Sequence, residues 1–326
     1  MKAIVSSSYG APESLRIEDV AKPVPGDNEV LVLNRASVVT SAMCEARAGS
    51  LLTRMYFGLR KPKWPILGSN FSGEIEAVGS SVVNFRVGDH VSGVNVTNFG
   101  AYAEYVVVPE DGVVAAKPNN LSDEEAVAVF DGSFTALPFL RDGARLRRGQ
   151  SILINGASGA VGTAAIQLAK FYGATVTAVC STANVTLVTS LGADHVIDYT
   201  RRDYTDTHDT YDVIFDAVAK SSFTRSRRAL KRNGIYLTTV PSLAVLLQML
   251  WTSKVGRKKA AIVFAGLAKP AQMVMNLAFL AELAEAGKLV PVIGSTHRMR
   301  EAADAHRHVE TGHKVGSAVI TIAADR

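Results

Sequence analysis

Ser151-Ile152-Leu153-Ile154-Asn155-Gly156-Ala157-Ser158-Gly159-Ala160-Val161-Gly162 is the most informative run in this chain of 326 residues. Residues 151–155 form a continuous apolar stretch bounded by glycine, the pattern of a strand buried on both faces. Gly156 turns the chain, Gly159 lets a ligand approach the backbone, and Gly162 lets the next helix pack closely on the sheet. That helix is predicted to run over 163–171 and to stop at Gly173. Amides at a helix start point outward, and together with the helix dipole they favour a pyrophosphate. Glycine spacing alone would equally fit a tight turn. A strand before it, a helix after it and a second strand ending about twenty residues on make it a dinucleotide fingerprint.

The second strand, 175–180, ends where NAD sites usually place an Asp or Glu for the ribose 2′-hydroxyl. Here the chain reads Val179-Cys180-Ser181-Thr182-Ala183-Asn184, with two hydroxyls and no carboxylate. A 2′-phosphate would meet no repulsion from these residues, so the sequence points to NADPH in preference to NADH. Farther on, strands predicted at 195–199, 211–218, 235–240 and 260–265 alternate with helical segments. Such alternation demands right-handed crossovers and a parallel sheet covered on both faces.

Before residue 120 the pattern differs. Short β-type runs at 3–5, 29–33, 72–78, 90–94 and 103–108 are punctuated by Gly and Pro. Ser122-Asp123-Glu124-Glu125 then reads as a capping box that opens a helix. After the alternating region come a helix at 270–286, a strand at 290–293, a helix at 300–311 and a strand at 317–322, which suit a return to the first domain. The expected organisation is a β-rich domain over 1–121, a doubly wound parallel-sheet domain over 122–266, and a segment over 267–326 that rejoins the β-rich domain.

Hydrophobic residues make up 48% of the chain and charged residues 20%, enough for two cores and incompatible with disorder. The longest apolar run, 243–251, is broken by Gln248 and is too short for the ~20 residues of a membrane span, so it is expected as a buried or lid helix. The first residues lack a secretory apolar core, which points to the cytoplasm. Cys44 and Cys180 are too few for a disulfide framework. The net charge of +5 comes mainly from Arg225, Arg227, Arg228, Lys231 and Arg232, and from Lys254, Arg257, Lys258 and Lys259. These are expected as solvated faces rather than a nucleic-acid surface, since an anionic cofactor accounts for a mild positive excess.

Beyond these local signals, the chain resembles the medium-chain dehydrogenase/reductase superfamily, in its zinc-lacking, zeta-crystallin-like branch of quinone oxidoreductases and enone reductases. The residues that carry the resemblance run nearly end to end. They are Ile66-Leu67-Gly68-Ser69-Asn70-Phe71-Ser72-Gly73 with Glu76-Ala77-Val78-Gly79, and Phe85-Arg86-Val87-Gly88-Asp89 with Val91. Next come the segment 100–109, Ser190-Leu191-Gly192-Ala193-Asp194, Val196-Ile197-Asp198-Tyr199 and Phe215-Asp216-Ala217-Val218. The resemblance implies a GroES-like catalytic domain beside a Rossmann domain. It implies pyrophosphate contacts at Ser158, Gly159, Ala160 and Val161, and a 2′-phosphate among Ser181, Thr182 and Tyr199. Thr135, Val218, Thr239, Val240 and Pro241 would lie near the ribose and nicotinamide, and a homodimer joined at the sheet edge near 260–265 is expected. Two departures stand out. Many relatives have a basic residue where this chain has Ala183-Asn184, and the polar substrate-side residues of relatives are replaced by Val39-Thr40-Ser41-Ala42-Met43.

Zinc-dependent members have a Gly-His-Glu motif where this chain has Gly68-Ser69-Asn70, and neither Ser69 nor Asn70 is a usual zinc ligand. The four-cysteine structural lobe is also missing, because no Cys lies between Cys44 and Cys180. His306, His308 and His313 cluster in sequence, but His306 and His308 cannot share a helix face. Without a metal the acceptor must already be electron-poor, as quinones and α,β-unsaturated carbonyls are. Thr40, Ser41 and Tyr56 are substrate-side hydroxyls by the same resemblance, and no catalytic residue is assigned. Two alternatives remain open at this level: a 2-enoyl thioester reductase, whose anionic arm would use the Lys254 to Lys259 cluster, and a dinucleotide-binding protein without turnover.

Overall fold

The structure is a computed structural model that describes residues 1–264 and 268–322, with only the backbone at Leu52. The chain forms two compact units, Met1–Asp131 with Ala268–Arg326, and Gly132–Leu267. The division falls inside a helix rather than at the Ser122 capping box that opens it.

The first unit is β-rich. Its strands are β1 (Lys2–Val5), β2 (Arg16–Asp19), β3 (Glu29–Val39), β4 (Asn70–Val78), β5 (His90–Val94), β6 (Tyr105–Pro109) and β7 (Val114–Ala116), with helices α1 (Ser41–Ala48) and α2 (Leu51–Phe57) between β3 and β4. β3 is its organising strand, pairing antiparallel with β4 and β6. Val30 and Val32 alternate inward on β3 and meet Phe71, Ile75, Val91, Val106 and Val108 in one core. Helix α3 (Asp123–Pro138) follows, and the Ser122 hydroxyl and Glu125 carboxylate form the reciprocal cap that the sequence announces.

The second unit carries six strands: β8 (Ser151–Asn155), β9 (Thr175–Cys180), β10 (His195–Asp198), β11 (Tyr211–Asp216), β12 (Leu230–Thr238) and β13 (Lys259–Ala261). They order as β10-β9-β8-β11-β12-β13, with every pair parallel. The order reverses between β8 and β11, the position at which open α/β sheets bind ligands. Ile152, Leu153 and Ile154 are fully buried in succession, as a strand covered on both faces requires. The helices are α4 (Ala160–Phe171), α5 (Val185–Ser190), α6 (Phe223–Ser226) and α7 (Leu243–Lys254).

The closing segment supplies α8 (Pro270–Glu285), β14 (Ile293–Arg298), α9 (Ala302–Glu310) and β15 (Ser317–Thr321). β15 pairs with β3, and β14 with β15, so both strands join the sheet of the first unit.

Three expectations need correction. The strand placed at 290–293 begins only at Ile293, because Pro291 cannot donate to a ladder. The sixth strand is shorter than 260–265: it is Lys259–Ala261, and Ala265 lies outside the described residues. Finally, of the two readings of the apolar run at 243–251, a buried or a lid helix, the buried one does not hold. α7 buries only Val245 and Thr252, while Leu243, Leu247, Leu250 and Trp251 face solvent. Among the described residues no helix is long and apolar enough to cross a membrane.

Candidate dinucleotide site

Because every ladder in the second unit is parallel, the loops after β8, β9, β10, β11 and β12 lie along one edge of the sheet. The three glycines of the fingerprint meet different demands there. Gly156 has φ +76°, and a Cβ on it would lie 2.4 Å from Val218 Cγ1. On Gly162 a Cβ would lie 2.2 Å from the Gly156 carbonyl oxygen, so this glycine permits α4 to touch the turn that precedes it. Gly159 is different. It caps α4 in extended backbone, no side chain caps the helix, and a Cβ there would find its nearest neighbour at 3.7 Å. Space beside the first amides of α4 is therefore open, and a pyrophosphate fits this cradle by size, by hydrogen bonding and by charge.

Behind the cradle, Gly132 on α3 approaches so closely that a Cβ would lie 1.9 Å from the Ala160 carbonyl oxygen. Thr135, about one helical turn farther on and partly buried, is brought to the same region by α3.

The loops after β9 and β10 hold a network that the sequence only partly announces. Asn184 Nδ2 donates to Ser158 Oγ at 3.0 Å and to Ser181 Oγ at 3.2 Å, tying the glycine loop to the loop after β9. This gives Asn184, noted above only for lacking a positive charge, a positioning role. Thr182 Oγ1 donates to Asp198 Oδ2 at 2.5 Å and lies 3.2 Å from Thr200 Oγ1. The expectation that no carboxylate lies here is thereby corrected, since Asp198 enters from the next strand, where it is the register partner of Cys180. Hydrogen bonds from Thr182 and Thr200 and the charge of Arg201 hold the Asp198 carboxyl below its ordinary range, so it is ionised at neutral pH. Arg201 Nε stands 3.5 Å from Asp198 with its guanidinium largely in solvent, and Tyr199 exposes its ring beside them.

At the switch between β8 and β11 sits Asp216, fully buried. Its carboxylate accepts from Asn155 Nδ2 (3.0 Å), Tyr236 Oη (2.9 Å), Ser221 N (2.8 Å) and, at longer range, Val218 N (3.4 Å). Burial and the adjacent Asp216 push the Tyr236 phenol far up, so it remains a donor. This network fixes the turn carrying Val218, and Thr239 joins it by donating its amide to the Asp216 carbonyl and its hydroxyl to the Ala217 carbonyl. Val240 and Pro241 follow, exposed, so Gly156, Val218 and Thr239 gather at one point of the sheet edge.

In the first unit, Thr40 caps α1 by accepting from Met43 N at 3.1 Å, which leaves its own proton free to donate. Ser41 is exposed at the start of α1. Tyr56 is 59% exposed at the rim of an aromatic cluster, with ring centroids 5.2 Å from Phe57 and 5.6 Å from Trp64. Ser69 Oγ donates to Asn70 Oδ1 at 2.8 Å, and both side chains are buried. Burial pushes the Cys44 thiol up to about 12. His306 is fully buried, and burial together with nearby Arg47 lowers it to about 3, whereas His308 lies on another face near His297, their rings 6.4 Å apart. Among the described residues no three His, Cys, Asp or Glu side chains converge to hold a metal.

Comparison with known proteins follows the same lines. Residues 26–118 match the alcohol dehydrogenase GroES-like domain family, and residues 191–320 match the zinc-binding dehydrogenase family. The chloroplast envelope quinone oxidoreductase homolog of Arabidopsis thaliana is 30% identical over 98% of each chain. The 2-methylene-furan-3-one reductase of Solanum lycopersicum is 30% identical over 98% of this chain and 79% of its own. The structure of the quinone oxidoreductase from Coxiella burnetii superposes with a TM-score of 0.86 at 28% identity, covering 99% of each chain. The chain therefore belongs to the medium-chain dehydrogenase/reductase family, with a GroES-like domain and a Rossmann domain, among the relatives named quinone oxidoreductases. It is an oxidoreductase of the dinucleotide-dependent kind.

Proposed function

We propose that this protein reduces quinones or α,β-unsaturated carbonyls with NADPH and without a metal. The observation that carries the reading is the buried Ser69–Asn70 pair. It is hydrogen-bonded to itself at the place where zinc-dependent relatives put a ligand, in a chain whose glycine cradle accepts a pyrophosphate. Support for the acceptor class comes from relatives named for quinone and enone-type reduction.

The bound nicotinamide supplies the hydride. The chain's own residues bind and orient. Ser158, Gly159, Ala160 and Val161 would hold the pyrophosphate, with Ser158 set by Asn184. Ser181 and Tyr199 would flank the adenosine phosphate, and Arg201 and Arg202 provide nearby positive charge. Thr135, Gly156, Val218, Thr239, Val240 and Pro241 would shape the nicotinamide end. Asp198 adds a carboxylate at the adenosine end, and Thr182 already donates its proton to it. NADPH is thus favoured by the arginines and opposed by Asp198, which predicts a moderate preference. With no metal to activate an alcohol, the acceptor must be intrinsically reactive, and positioning is the main resource. Proton delivery falls to water or to a hydroxyl such as Tyr56, Thr40 or Ser41.

A homodimer joined at β13 is part of this reading. β13 is the last strand of its sheet among the described residues, and an open edge is a liability that pairing removes. Cytoplasmic residence is also part of it, supported by two buried, unbridged thiols. The experiment is cofactor oxidation with NADPH and NADH against quinones, enones, enoyl thioesters and alcohols, with and without a chelator. Quinone or enone turnover that survives chelation is expected. A requirement for zinc, or turnover of alcohols alone, would overturn the proposal.

A further inference from the structure

At the edge of the Rossmann sheet opposite the glycine cradle is a basic pocket, with a volume of about 270 Å³. The loops that would hold the dinucleotide follow the strands, whereas this pocket opens where β12 and β13 begin. It is lined by Arg227, Arg232, Arg257 and Lys258, with Trp251 and Phe223 as its aromatic walls.

Its charges are unbalanced in a way that neighbouring charges are not. Arg225 is paired with Asp203 at 2.5 Å, and Lys231 with Asp212 at 2.7 Å. Arg228 donates to His208 Nδ1 at 2.9 Å. Within the pocket, Lys258 is paired with Asp209 at 2.8 Å and also donates to the Arg227 carbonyl, which anchors the floor. Arg227, Arg232 and Arg257 have no acidic partner among the described residues. Three unpaired guanidiniums facing one concavity repel each other, and an anion relieves that repulsion. Guanidinium forks match phosphate oxygens in geometry as well as in charge.

The second feature is Trp251, the last turn of α7. It is 53% exposed, an unusual place for an indole with no covering element. Beside three arginines, an exposed indole offers a stacking face for a planar ring. A volume of about 270 Å³ falls just below the ~300–1,000 Å³ of sites for drug-sized ligands, a size suited to one nucleoside monophosphate and too small for a dinucleotide.

We propose that this pocket binds a nucleoside monophosphate, with the phosphate on Arg227, Arg232 and Arg257 and the base on Trp251. The site is separate from the cofactor cradle and does not depend on which acceptor the enzyme reduces.

The chain has two tryptophans, so Trp64→Phe leaves Trp251 as the only indole reporter. This full-length variant, kept saturated with NADP⁺ so that the cradle is filled, is titrated with UMP, AMP and inorganic phosphate while indole emission is followed. A saturable change with UMP and AMP is expected, with a dissociation constant below about 1 mM. It should weaken by about tenfold or more in an added Arg232→Gln/Arg257→Gln pair, and also with rising salt. The proposal is overturned by the absence of a saturable change, by binding that survives the arginine replacements, or by inorganic phosphate binding as tightly as the nucleotides. Circular dichroism of the arginine variant, matched to its parent, separates lost binding from lost folding.

Discussion

α4 and α7 are both twelve-residue helices on the same parallel sheet, and both are rich in apolar residues. α4 buries nine of its twelve residues, and α7 buries two. The difference lies in what each helix meets. α4 enters from the glycine turn, with Gly162 against the Gly156 carbonyl and Gly132 of α3 against Ala160. α7 rests on the sheet through Val245 and Thr252 and leaves Leu243, Leu247, Leu250 and Trp251 uncovered in the monomer. Composition alone therefore does not tell a buried helix from a largely exposed one, since both satisfy the same hydrophobic count.

The strongest way to break this comparison is to disturb the tight helix. Gly162→Ala drives a Cβ into backbone 2.2 Å away and should cost about 1–3 kcal/mol of folding stability, measured by urea denaturation. A stability unchanged from the parent would show that the turn can give way, and the close-packing account would be wrong.

Gly159→Ala sharpens the same contrast, because a Cβ there meets nothing nearer than the Gly156 carbonyl oxygen at 3.7 Å, an ordinary contact. Stability without cofactor should stay within about 0.5 kcal/mol, while the cofactor dissociation constant rises by about tenfold or more. Calorimetric titration reads the second number, and unchanged affinity would mean that the pyrophosphate lies elsewhere.

Ser181→Asp adds a second negative charge beside Asp198. A loss of about 1 kcal/mol in NADPH binding, roughly fivefold, is expected with little effect on NADH. Equal losses for the two cofactors would place Ser181 away from the 2′-phosphate.

The smallest effect on folding belongs to α7. Leu247→Ser with Leu250→Ser should change monomer stability by no more than about 0.5 kcal/mol each, because both side chains are already exposed. If the dimer forms beside β13, light scattering should nonetheless show weaker association. A large loss of stability would mean that these leucines are packed in a way the monomer does not show.

Legibility in the sequence follows the range of the forces involved. The strand over 151–155, the glycine turn, the Ser122–Glu125 cap and the alternation of strands and helices depend on neighbours within a few residues, so they could be read directly. The return of 317–321 to the first unit is legible as well, because its β-type run suits the β-rich domain. What escaped depended on pairing between distant segments. Asp198 could not be put beside Thr182 without knowing that β10 and β9 pair in the register Asp198 to Cys180. Asn184 was noted for the charge it lacks, while its amide bonds to Ser158 and Ser181 arise only once two loops meet. The exposure of most of the apolar face of α7 depends on the same long-range packing, and Pro291 delays β14 although its missing N–H is legible in the sequence.

The most direct measurement of the central claim is isotopic. With NADPH deuterated at the transferable position of C4 and a simple enone as acceptor, the product analysed by mass spectrometry and NMR should carry one deuterium at its β-carbon. The reaction should proceed at an undiminished rate in chelator. A product without deuterium at that carbon, or oxidation of simple alcohols faster than reduction of the enone, would contradict the account.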